Sequence, residues 1–236
     1  MNYRDLLYSD YSTHFNREER PDDALAFAIF DSIYPPVPPG VLPVLDLASG
    51  KGSWLRWMKS KGFTNLSGVD LSVYDLEQTR IPGATLHRED LFGFLNRTEN
   101  TYALIHAKDV IEHMTKNEVV EFLTACLKRL VPGGQLWIST FNALAPMASQ
   151  TWFADFTHET SFAPDSMRQV MHACGFPEVE VRCVHPVPPT LKGKIRRALL
   201  APVSAGAAFI AKLRYGGQGD FSCAPTLLAM ATKAKV

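Results

Sequence analysis

From residue 44 onward, short apolar runs alternate with segments of helical period, and this alternation most constrains the fold. "VLPVLDLAS" is apolar up to its first acid, Asp46, and an unbroken apolar run of that length reads as a strand buried on both faces. "SWLRWMKSKG" follows, with Trp54, Leu55, Trp57 and Met58 at helical spacing and Gly62 as its stop. "NLSGVD", "ATLHRED", "YALIHA", "QLWIST", "EVEVRCV" and "TLLAMATK" supply six further strand-like runs. "TKNEVVEFLTACLKRLVPGG" is the clearest helix. Thr115 and Glu118 form a capping box, Val119, Phe122, Leu123, Cys126, Leu127 and Leu130 its inner stripe, and Pro132 to Gly134 end it. "PDSMRQVMHACGF" is another helix, with Pro164 in its first turn and Gly175 as its stop. Strands alternating with helices predict an α/β fold: a Rossmann-like, mostly parallel seven-stranded sheet with helices on both faces. Residues 1–40 read as an N-terminal helical extension, carrying "DDALAFAIFDSIY" and stopped by "PPVPPG", and residues 41–236 as the main domain.

Ligands of such sheets sit beyond the carboxyl ends of the strands, which turns attention to "LDLASGKGSWL". A phosphate-cradling P-loop would need Ser or Thr after Gly50-Lys51 and a glycine at position 45; Gly52 and Leu45 stand there. A dinucleotide fingerprint would need a third glycine where Leu55 stands. What remains is a strand, an acid at its end and a tight glycine turn, followed by Asp70 and Asp90 at two more strand ends. That set suits a nucleoside ligand without phosphates. Glycines let backbone approach it closely, and a carboxylate can accept from both ribose hydroxyls. Each acid alone is equally explained as a turn or helix-cap residue.

Bulk properties narrow the partners. Lys plus Arg equals Asp plus Glu, 24 against 24, so no overall charge points to nucleic acid. Cys126, Cys174, Cys183 and Cys223 show no CxxC pair or zinc-like spacing, which reads as reduced thiols of a cytoplasmic protein. The opening "MNYRDLLYSDYSTHF" lacks the layout of a secretion signal, and no apolar run is long enough to span a bilayer.

"VLDLASGKG", "GVDLS", "HREDL", "HAKDVIEHM" and "LKRLVPGGQLWIST" together resemble, in order and spacing, the motifs of class I S-adenosylmethionine-dependent methyltransferases. The resemblance covers about residues 41 to 184 and the last strand. It implies S-adenosyl-L-methionine as cofactor and a final antiparallel strand. It also implies that Asp46, Ala48, Gly50 and Gly52 line the methionine part, Asp70 and Leu71 the ribose, Asp90 and Leu91 the adenine, and that Ala107 and Lys108 lie near the methionine moiety. Ala48 departs from the family's D-x-G-x-G-x-G, and since alanine resists positive φ, a slightly altered loop is expected.

Methyl transfer to a hydroxyl benefits from a nearby base. His113 and His158 both fall on the carboxyl side of the sheet, each equally readable as a structural histidine. "D-x-T-H" with the helix after it resembles a segment of methyltransferases from bacterial surface-polysaccharide clusters. That resemblance implies Asp155 and His158 as the acceptor-side pair, Asp155 orienting the imidazole, and a sugar hydroxyl of a surface glycan or its lipid-linked precursor as acceptor. A small-molecule acceptor of secondary-metabolite or quinone-like type is the alternative, and a non-catalytic cofactor-binding scaffold a third. No metal site is expected, because no carboxylate cluster stands on one loop; the other five histidines, His14, His87, His106, His172 and His185, read as structural. An insertion of about residues 186–224 separates the last two strands. Its apolar run Ala198 to Ile210 is bracketed by Lys192, Lys194, Arg196, Arg197, Lys212 and Arg214, which fits either a lid or a peripheral surface on the inner membrane face.

Overall fold

The computed structural model describes Leu7 and residues 22–36, 42–72, 81–186, 190–216 and 221–235. Much of the expected N-terminal extension, His14 included, lies outside the described residues. Helix α1 (Asp23–Ile33) begins under an Asp22 cap. Strand β1 (Val44–Leu47) leads through the glycine turn into α2 (Ser53–Ser60). Then come β2 (Leu66–Asp70), β3 (Thr85–Arg88), α3 (Leu91–Arg97) and β4 (Tyr102–Lys108). A 3₁₀ turn (Ile111–His113) precedes α4 (Lys116–Arg129), which carries the expected Thr115–Glu118 capping box. Strand β5 (Leu130–Phe141) starts directly at the end of α4, so Pro132 to Gly134 lie inside the strand rather than in a separating turn. Helices α5 (Ala148–Ala154) and α6 (Pro164–Ala173), strand β6 (Glu178–Val184), helix α7 (Leu191–Tyr215) and strand β7 (Thr226–Thr232) complete the chain.

The seven strands form one sheet in the order β3-β2-β1-β4-β5-β7-β6. Strand β7 runs against the direction of the other six, as expected. Strand residues alternate between two cores. Leu45, Leu47, Ile105, Leu136 and Ile138 pack with α4 and α6 residues on one face; Val44, Leu104 and Trp137 pack with α1 and α2 on the other. Burial on both faces is why these strands read as apolar runs. Helix α1 belongs to this second core through Phe30 and Ile33, so the N-terminal helix is docked on the sheet domain. Strands β1 and β4 are adjacent although far apart in sequence. Connections diverge to either side there, opening a crevice at their carboxyl ends.

Candidate functional site

The turn after β1 is built from left-handed backbone. Ala48, Gly50 and Gly52 have φ of 54°, 50° and 72°. The loop therefore keeps the glycine-type geometry with alanine in it, correcting the expectation of an altered loop. Its cost is about 1–2 kcal/mol, and Ala48 is exposed, so its methyl group displaces nothing. The turn is tied to β2: the Gly50 amide donates to Asp70 Oδ2 at 2.7 Å and the Ser72 amide to Oδ1 at 2.8 Å. A Cβ on Gly50 would meet nothing within 4 Å, so this backbone borders open space. Leu71 stands beside it, exposed. Asp90 caps α3 by accepting the Gly93 amide through Oδ2 at 2.9 Å, and Leu91 is the first residue of that helix. Bare backbone, a carboxylate at the end of β2 and an apolar side chain next to it fit a nucleoside cofactor. Ala107 is buried in β4 and Lys108 is exposed at its end, paired with Asp109.

Asp46 is placed differently from the expectation that it reaches the ligand. It is buried, and its Oδ1 accepts from His106 Nδ1 at 2.7 Å. The other His106 nitrogen, Nε2, accepts from the Tyr34 hydroxyl at 2.7 Å. Burial holds that phenol well above its ordinary pKa, so it stays protonated and donates. Trp54 stacks on the His106 ring at 4.0 Å, and Tyr34 on Trp137 at 5.5 Å. Asp46 thus anchors a buried relay beneath the loop and joins α1 to β1 and β4.

A second group gathers beyond β4 and β5. The 3₁₀ turn carries Glu112 and His113, and the segment after α5 carries His158. One ligand atom from each lies within 4.8 Å of the other two. The two segments are bolted together. The Glu112 carbonyl accepts the amides of Glu159 and Thr160 at 2.8 and 3.1 Å, and the Thr160 hydroxyl donates to the Met114 carbonyl at 2.7 Å. Asp155 does not orient His158, which is a second correction. Its Oδ1 accepts the amide and hydroxyl of Thr157, at 2.9 and 2.6 Å, and Thr157 Oγ1 in turn accepts from His113 Nδ1 at 2.8 Å. His158 Nδ1 instead donates to the Trp152 carbonyl at 3.1 Å. An acceptor at each Nδ1 means that each ring, when neutral, carries its proton there and its lone pair on Nε2. The rings are 4.8 Å apart, and His158 also stacks on Trp152. Burial, helped by the neighbouring His158, pushes His113 down to about 4, so the ring is neutral at pH 7. Burial beside Asp109 pushes the Glu112 carboxyl up to about 8, while Thr140 donates to its Oε2 at 3.0 Å. The sequence reading singled out both histidines and missed Glu112, whose position directly before His113 was the available signal.

A mostly parallel sheet with a glycine turn after β1 and acids closing β2 and β3 is an architecture shared by solved structures of S-adenosylmethionine-dependent methyltransferases. An S-adenosylmethionine-dependent methyltransferase from Archaeoglobus fulgidus matches with a TM-score of 0.68 at 17% identity, covering 95% of this chain and all of that one. One from Mesorhizobium loti gives 0.61 at 20% identity, over 86% of this chain and 95% of that one. The chain belongs to the methyltransferase-domain family, whose model matches residues 13–181. Phosphoethanolamine N-methyltransferase 2 of Haemonchus contortus, solved with S-adenosyl-L-methionine, matches with a TM-score of 0.61 at 18% identity, over 99% of this chain and 60% of that one. The phosphoethanolamine N-methyltransferase of Plasmodium falciparum is 23% identical over 143 residues, 58% of this chain, and the chain spans about half of that relative, 54%.

Proposed function

We propose that the acceptor atom is a hydroxyl oxygen, and that the acceptor is a sugar of a surface glycan or its lipid-linked precursor. The observation that carries the hydroxyl reading is the pair of imidazoles, His113 and His158, both donating through Nδ1 and both beyond the ends of β4 and β5. The cofactor supplies an electrophilic methyl group on a sulfonium sulfur. This chain's residues must hold the acceptor in line with it, exclude water, and let the hydroxyl proton leave. Asp70 and the 48–52 turn hold the nucleoside; the histidine cluster stands where the hydroxyl loses its proton. Transfer to a phosphate-bearing amine is less well served. The Asp109 and Asp155 carboxylates act on the cluster, and the nearby Lys108 pairs with Asp109, an arrangement that disfavours an anionic acceptor.

Helix α7 supports a lipid-linked acceptor. No helix among the described residues is long and apolar enough to cross a membrane. Yet Leu191, Ile195, Leu199, Val203, Phe209, Ile210 and Leu213, all 53–76% exposed, fall on one side of α7 at helical spacing. Its inner side is made of small residues, with Gly193 buried and Ser204, Ala207, Ala208 and Ala211 half-buried. The helix holds six Lys or Arg and no acid, which matches an anionic bilayer surface. It springs from the carboxyl end of β6, the edge where the acceptor cluster lies.

The test is turnover on glycan, small-molecule and phosphoethanolamine acceptors, with the methylated atom read by mass spectrometry and NMR. A methyl ether is expected. Asp70→Ala is expected to abolish S-adenosylhomocysteine binding by calorimetry, and His158→Ala to lower turnover at least tenfold with that binding intact. N-methylation alone, or loss of cofactor affinity in the His158 variant, would overturn the reading.

A further inference from the structure

We propose that Glu112, His113 and His158 form a binding site for one divalent first-row transition-metal cation, which holds the acceptor hydroxyl. The inference rests on the hydroxyl-acceptor reading above and specifies how that hydroxyl is activated.

Three features of the chain carry it. The first is the donor set. Two imidazoles and a carboxylate, with no thiolate, suit first-row divalent metals, and the three ligand atoms already lie within 4.8 Å of one another. Ligands at about 2.1 Å from a cation stand roughly 3–4 Å apart, so a small torsional adjustment closes the set. The second is the outer shell. Metal-binding histidines characteristically donate their other ring N–H to an oxygen, and both do so here: His113 to Thr157, which Asp155 holds, and His158 to the Trp152 carbonyl. Glu112 is likewise steadied by Thr140. The third is burial: Glu112 is 3% exposed, and no Lys or Arg forms an ion pair with it among the described residues. The ligands come from two segments, but the bonds from Glu159 and Thr160 to the Glu112 carbonyl fix one segment on the other. The site is therefore built in advance.

Three protein ligands leave coordination positions open. The acceptor oxygen takes one of them. Coordination lowers its pKa, and its proton leaves to water. The oxygen lone pair then forms the new C–O bond as the methyl–sulfur bond breaks, and the sulfur keeps that electron pair.

The experiment uses the full chain stripped with EDTA and titrated with Co²⁺ alone, followed by visible absorption and equilibrium dialysis. One Co²⁺ per chain is expected. Glu112→Gln and His158→Ala should each weaken it at least tenfold while S-adenosylhomocysteine still binds. Because Glu112 is buried, cofactor binding certifies the fold, and the half-buried His158 supplies an independent variant. Turnover should fall at least tenfold in EDTA and return with Co²⁺ or Zn²⁺. Absence of stoichiometric Co²⁺, or equal affinity in wild type and both variants, would overturn the site. O-methylation that persists in EDTA would sink the site and leave the hydroxyl reading standing. Co²⁺ bound at the cluster with no O-methylated product would sink the hydroxyl reading and leave the site standing.

Discussion

Replacing Thr157 by valine removes one oxygen from the middle of the Asp155–Thr157–His113 relay. Thr157 is 1% exposed, and valine keeps its branched shape, so no cavity opens. Two bonds go: the 2.6 Å bond to the Asp155 carboxylate and the 2.8 Å bond from His113. Asp155 Oδ1 keeps the Thr157 amide at 2.9 Å, so it is not stranded. A bond to a charged group contributes about 1.5–3 kcal/mol, and a buried N–H left without an acceptor costs about 1–3 kcal/mol. Since the relay members share partners, these do not simply add. A loss of about 3 kcal/mol is expected, which for a chain of this size lowers the melting temperature by roughly 6–12 °C. A purely structural hydroxyl would do only that. A hydroxyl that positions His113 does more: the ring loses its tautomer lock, so Co²⁺ affinity should fall about 10–100-fold. kcat should fall with it, and the KM for S-adenosylmethionine should stay within about twofold of wild type, since Asp70 and the turn, the proposed cofactor site, are untouched. Thr157→Ser should restore all three. The assays are calorimetric melting, Co²⁺ titration and steady-state kinetics. If the valine variant melts lower yet keeps wild-type kcat and Co²⁺ affinity, Thr157 is only a packing residue and the relay does not act on His113.

Two further outcomes follow from the cofactor side and the membrane side. In Gly68→Ala the new Cβ would lie 2.9 Å from Leu55 Cδ1 and 3.0 Å from Ser49 Oγ, both next to the glycine turn; a loss of about 1–3 kcal/mol in stability and weaker S-adenosylhomocysteine binding by calorimetry are expected. On α7, Phe209→Asp with Leu213→Asp should abolish co-sedimentation with anionic phosphatidylglycerol vesicles and leave turnover on a soluble acceptor unchanged, whereas wild type that stays in the supernatant would refute membrane contact.

The glycine turn and the acids around it were legible in the sequence because they are local. Each acid ends a strand, the turn lies within a few residues of Asp46, and strands buried on both faces announce themselves as apolar runs. Asp46 itself shows where locality fails. As an acid near the glycine turn it invited a ligand role, yet it is buried, and a buried carboxylate must find a donor. The donor comes from β4. Once β1 and β4 are known to be neighbours in register, Asp46 lies opposite His106, so topology alone names the partner. That step was open to sequence reasoning and turns on His106, a residue that composition presents as unremarkable. The Glu112–His113–His158 group does not yield to the same logic. Its two segments come from different turns, joined by a carbonyl accepting two backbone amides, and backbone bonds leave no side-chain signature. Nor does spacing decide whether Asp155 bonds His158, three residues on, or Thr157, two residues on. The turn at 155–157 folds the Thr157 amide and hydroxyl back onto the carboxylate, a local Asx-type geometry that outcompetes the more distant ring. The carboxylate is thereby tied, through the Thr157 hydroxyl, to His113, a histidine far from it in sequence.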